Sequence, residues 1–164
     1  MCRLSDTVAD MVRSQLLLAC RPSEICRLNA AEIDRTCDVW VYQPQRHKTE
    51  HRGHTRQILI GPRAQRLLAP YLFRFPESPC FVSKRTGRGY TTSAYRLTII
   101  RACKKAEIAK WTPNQLRHTK ATEVRAKFGL EAAQVFLGHG SADVTQIYAE
   151  RNLLLAQKVA RAIG

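Results

Sequence analysis

Three segments of this chain carry side chains suited to chemistry on a phosphodiester: Leu116-Arg117-His118-Thr119, Leu137-Gly138-His139, and Tyr148 nine residues past that histidine. They supply a cation, a hydrogen-bond donor and a nucleophilic oxygen. A fourth, Arg21-Pro22-Ser23-Glu24, adds a second arginine at a helix boundary, where Pro22 disfavours helical geometry at Arg21 and lets its side chain project into a cleft. Breaking a phosphodiester without a metal or nucleotide cofactor requires a nucleophile, cations for charge developing on the non-bridging oxygens, and an acid for the departing oxygen. The phenol of Tyr148 can attack phosphorus, but a free phenol titrates near pH 10, so nearby cations or a base must activate it. Arg21 and Arg117 are candidates for the clamp, because a guanidinium fork meets two phosphate oxygens in a fixed plane. His139, after a glycine at a helix end, can approach a phosphate as a donor.

The elements that must position these groups follow from hydrophobic spacing. Val8, Met11, Val12, Leu16 and Ala19 recur at helical intervals behind Ser5 and Asp6, either of which can cap, and Ile25 and Leu28 predict a short second helix behind Pro22. Val39 to Tyr42 and Gln57 to Ile60 are β-branched and aromatic, with a polar, basic connection between them that contains Lys48. Gly61-Pro62 opens a helix holding Leu67, Leu68 and Leu72. Thr91, Thr92 or Ser93 caps another through about Glu107, with Leu97, Ile100 and Cys103 expected on one face. Thr112-Pro113-Asn114-Gln115 has the capping-box pattern with proline at the first helical position, so Arg117 falls in the second turn, near the positive end of that helix. Gly129 is expected to stop it, a short helix to end at Gly138, a third to begin near Ser141, and Leu153, Leu154, Val159 and Ile163 to give a last amphipathic segment. The expected fold is mainly α with a small antiparallel β-sheet, an α+β domain over residues 1–164.

Composition points to the partner. The 164 residues include 27 Lys and Arg against 13 Asp and Glu, a formal charge of +14. Such an excess suits a polyanion, since each neutralised phosphate releases condensed counterions. Six scattered cysteines, Cys2, Cys20, Cys26, Cys37, Cys80 and Cys103, with no C-x-x-C, fit a reduced cytosolic chain better than a disulfide framework. His47, His51 and His54 share a stretch with Arg46, Lys48, Arg52 and Arg56, whose field opposes a bound cation, so no metal site is expected. No apolar run is long enough to span a bilayer and no charged-then-apolar leader opens the chain.

The order Arg, Lys, Arg, His, Tyr resembles the catalytic domain of the tyrosine recombinases, or phage integrases, from roughly Asp10 to Ala149. The resemblance implies site-specific cutting and rejoining of DNA through a covalent 3′-phosphotyrosine, with catalytic residues Tyr148, Arg21, Arg117, His139 and Lys48, and no cofactor. Lys48 resembles the lysine that protonates the leaving oxygen, although Arg46 and Arg52 compete for that register; Glu24 is expected to be structural. One position departs: Asn114 stands where the family usually has a histidine, three residues before the second arginine. Asparagine can donate a hydrogen bond to phosphate but cannot shuttle a proton. His118 is expected to point elsewhere on the helix and to pack or cap. The resemblance further implies double-stranded DNA as partner, a homo-tetramer on DNA with a monomer possible without it, and a cytoplasmic, nucleoid-associated location. The family's amino-terminal DNA-binding domain is not visible before the first helix. The segment Leu153 to Ile163 either docks onto a neighbour or packs on its own core. A catalytically weakened or silent DNA-binding module is the alternative; a relaxing topoisomerase is a third reading.

Overall fold

The computed structural model describes residues 4–45, 56–73, 77–138 and 146–163, with only the backbone of 146–152. Lys48 and His139 lie outside the described residues, as do His47, His51 and His54; Tyr148 lies in a described helix without a described side chain. The elements run α1 (Asp6–Leu18), α2 (Pro22–Arg27), a 3-10 turn (Ala30–Glu32), β1 (Ile33–Asp34), β2 (Trp40–Tyr42), β3 (Ile58–Ile60), α3 (Pro62–Leu72), α4 (Thr92–Lys105), α5 (Pro113–Leu137) and α6 (Gln146–Ile163). The fold is therefore mostly helical with one antiparallel sheet of order β1-β2-β3, in which Val41 pairs with Leu59 and Asp34 with Val41.

Period-two alternation explains how so small a sheet organises two cores. Ile58 and Ile60 of β3 face one cluster with Val8, Met11, Ile25, Leu68, Tyr95 and Ile99, while Leu59 between them faces a second with Val124, Ala133, Phe136, Val159 and Ile163. All three β3 residues are buried, so the sheet is a partition covered by α1 to α4 on one side and by α5 and α6 on the other. Ser5 caps α1 by accepting from Val8 N, and Ala19 closes it in the left-handed region at φ 48°. Thr91 caps α4 by accepting from Ala94 N, and Thr112 N donates to the Gln115 side chain at 2.6 Å to start α5.

Two hydrophobic faces differ from the sequence expectation. The buried stripe of α4 is Tyr95, Ile99 and Cys103, and Leu97 is 49% exposed. The i, i+4, i+8 stripe led by a tyrosine wins because the tyrosine hydroxyl has a buried partner in Gln15. In α6 the inward residues are Ala156, Val159, Ala160 and Ile163, while Leu153 and Leu154 face outward. That inward stripe packs on α5 and β3 of the same chain, and Arg161 ties it to Asp38 at 2.6 and 3.0 Å. Gly129 interrupts α5 with φ 86° and ψ 174°, a break where the sequence places one.

Candidate active site

Arg21 sits at the N-cap of α2 in extended geometry, φ −73° and ψ 153°, as Pro22 behind it requires. Its backbone N–H donates to Glu24 Oε2 at 2.6 Å and its Nη1 to Glu24 Oε1 at 3.0 Å. The same Oε1 accepts from Nε of Arg56 at 3.1 Å. Glu24 is thus a buried carboxylate between two guanidiniums. Burial opposes its ionisation, but Arg56 and then Arg21 override that penalty and hold its pKa below the usual carboxylate value.

Arg117 approaches from α5 and is 7% exposed. Its Nη1 donates to Ala19 O at 2.6 Å and its Nη2 to Leu137 O at 2.8 Å. Arg56 Nη1 donates to that same Leu137 carbonyl at 2.9 Å, so two arginines secure the last residue of α5 immediately before Gly138 and His139. Burial, with the charges of Arg56 and Arg21 adding to it, lowers the Arg117 pKa to about 10, Glu24 acting in the opposite direction. Three guanidiniums around one carboxylate leave the site short of negative charge, which a bound anion would supply.

A cavity of about 370 Å³ opens over this network, lined by Arg21, Pro22, Ser23, Thr92, Asn114, Arg117, His118, Ala121 and Leu137. Thr92 and Asn114 belong to the first turns of α4 and α5, so the positive ends of two long helices border it. Of the six site residues read from the sequence, the structure brings Arg21, Arg117 and Asn114 together here. His118 corrects the sequence expectation: it lines the same cavity, its Nε2 3.0 Å from Asn114 Nδ2. Asn114, Arg117, His118 and Ala121 are spaced i, i+3, i+4, i+7, one face of a helix, and that spacing puts His118 beside Asn114.

Two residues that hold the site have no sequence signal of their own. Arg56 is 6% exposed, and among the described residues its Nη2 has no hydrogen-bond partner. Basic composition around it hides which cation turns inward. Gln15, fully buried in α1, donates to Cys20 O at 3.3 Å and Pro113 O at 3.0 Å and accepts from Tyr95 Oη at 2.9 Å. One amide therefore couples the residue before Arg21 to the first turn of α5, which carries Asn114 and Arg117.

Gly138 ends α5 at φ 66°, and a Cβ there would collide with Arg56 Nη1. Gly138→Ala is expected to lower unfolding free energy by about 2 kcal/mol or more, from left-handed strain plus displacement of a buried cation. Urea unfolding reads it; a loss below about 0.5 kcal/mol, the usual range of a neutral surface change, would contradict the contact.

Among the described residues no group of three His, Cys, Asp or Glu side chains is placed to hold a metal ion, and no helix is long and apolar enough to cross a membrane. The five described cysteines are free thiols.

A mostly helical domain with a small three-stranded antiparallel sheet matches the catalytic-domain fold of solved tyrosine recombinases and integrases. The Tn1549 transposon integrase in complex with transposon right-end DNA superposes with a TM-score of 0.65 at 17% identity, over 93% of this chain and 59% of that one. XerA recombinase gives a TM-score of 0.58 at 24% identity over 94% of this chain and 62% of its own. XerH site-specific recombinase, bound to its difH substrate in a pre-cleavage complex, gives 0.63 at 16% over 92% and 48%. This chain thus spans about half to three fifths of the length of those proteins. No curated protein matches it. The phage integrase family model matches residues 5–153, and the chain belongs to the phage integrase family.

Proposed function

We propose that this domain cuts and rejoins DNA strands at specific sites through a covalent link between Tyr148 and a 3′-phosphate. The observation that carries the reading is the cavity lined by Arg21 from the start of α2 and Arg117 from α5, over a network with more guanidiniums than carboxylates. Family membership, the DNA complexes formed by the similar integrase and XerH, and a net charge of +14 all support DNA as the partner. In this reading the Tyr148 phenol releases its proton to solvent and its Oη–P bond forms as the P–O5′ bond breaks. Arg21 and Arg117 take the charge that builds on the non-bridging oxygens, and Lys48 gives the proton to O5′. His139 and Asn114 donate hydrogen bonds to the phosphate. The phosphotyrosyl bond conserves the ester's energy for rejoining, so neither a metal nor a nucleotide is needed. The active assembly is a homo-tetramer on two duplexes.

The test is capture of denaturation-resistant protein–DNA complexes from a pool of randomised duplexes nicked near the crossover, so that the cleaved end diffuses away. The unaltered chain is expected to yield them and Tyr148→Phe to yield none. A second reading has one observation in its favour, the amide of Asn114 in place of a proton-carrying group: a silent DNA-binding module. Salt-sensitive DNA binding without any covalent complex would establish that module and overturn the catalytic reading.

A further inference from the structure

Asn114 and His118 lie on the face of α5 that borders the cavity, one helical turn apart, and both are exposed. Asn114 Nδ2 lies 3.0 Å from His118 Nε2, and in the tautomer in which that ring nitrogen accepts from the amide, Nδ1 carries the imidazole N–H. The pair adds little to the fold, since an exposed i, i+4 contact on a helix is worth about 0.2–0.5 kcal/mol. It stands instead on the rim of the space that Arg21 and Arg117 also line. The two guanidiniums are engaged with Glu24, Ala19 and Leu137, which fixes them as rigid walls. A further directional donor beside such walls would add to the stabilisation of an oxyanion between them.

We propose that His118 donates its Nδ1–H to a non-bridging oxygen of the DNA phosphate held between Arg21 and Arg117, and that Asn114 is the positioning residue that fixes its tautomer. The inference rests on the strand-cutting reading above and assigns an additional phosphate contact to it. No proton is transferred in this step; the hydrogen bond strengthens as negative charge develops on the oxygen. Asn114 then acts in two ways, as a rim donor and through the imidazole.

The test measures single-turnover rates of covalent complex formation at saturating concentrations of a nicked duplex recovered from the randomised pool. His118→Ala is expected to slow the step about 10²-fold, the usual effect of one transition-state donor, with DNA affinity and thermal unfolding close to those of the unaltered chain. His118→Gln, whose amide also donates, should regain part of that loss. Asn114→Ala should slow the reaction less. If Asn114 works mainly through His118, combining Asn114→Ala with His118→Ala should cost little beyond His118→Ala alone. A His118→Ala rate within about twofold of the unaltered rate, while Tyr148→Phe forms no complex, would overturn the proposal and leave the strand-cutting reading intact. Fully multiplicative losses in the double variant would overturn the positioning role of Asn114. An unaltered chain that forms no complex would overturn the strand-cutting reading, and this proposal with it.

Discussion

Replacing Arg117 with alanine is expected to slow covalent complex formation by about 10² to 10³-fold, the range found when one preorganised transition-state contact is removed. The geometry argues for a loss at the upper end. The guanidinium is confined at 7% exposure by carbonyls on two separate elements, Ala19 at the end of α1 and Leu137 at the end of α5. It therefore reaches the cavity already oriented, with no rotamer entropy left to lose on binding. Arg117→Lys should recover little, because one ammonium cannot span the two carbonyls and also face an anion. The low pKa of about 10 gives an independent readout. Burial and like charge cause that shift, so a phosphate analogue such as vanadate or sulfate in the cavity should raise it. An Arg117→Ala rate within tenfold of the unaltered chain would remove this side chain from the clamp.

Glu24→Gln is expected to destabilise the fold by about 3–5 kcal/mol, because it leaves Arg56, 6% exposed, without its ion-pair partner. The direction follows from the depressed pKa. A carboxylate whose folded pKa lies below its unfolded value of about 4.5 contributes stability that is fully present above that value and is lost as pH falls through the folded one. The unaltered chain should thus lose stability on acidification below about pH 4.5, and the Glu24→Gln chain should lack that part of the acid limb. Urea midpoints across pH 3 to 7 check both statements. The glutamine amide keeps one accepting oxygen and replaces the other by a donor, so Arg21 loses either its backbone or its Nη1 bond, and the loss of fold and the loosening of the clamp share one cause.

Much of the architecture was legible because local chemistry and tertiary packing agree. Pro22 forces Arg21 out of the helix and into an N-cap, and the Thr112–Gln115 pattern starts α5 where the structure does. The alternating strands fold as a sheet because each face meets a core. The unread parts are those in which composition is uniform or a polar residue is buried. Arg56 belongs to a run of basic residues in which charge alone does not reveal which side chain turns inward to Glu24. Gln15 occupies an apolar face whose period marks it as a mismatch, and its three partners come from sequence positions far apart. The placement of His118 follows from the helical period, since i, i+4 from Asn114 is the same face, whereas adjacency to Arg117 along the chain points away from it. Leu153 and Leu154 look like core and face outward because the alanines and valine behind them allow α6 to approach α5 closely.

The most direct measurement is the site of DNA attachment. A covalent complex formed on a nicked duplex, trimmed with nuclease and digested with protease, should yield one modified peptide, with a nucleotide joined through its 3′-phosphate to Tyr148. Attachment at another residue, or complete absence of a nucleotide adduct from a chain that binds the same duplex, would contradict the account.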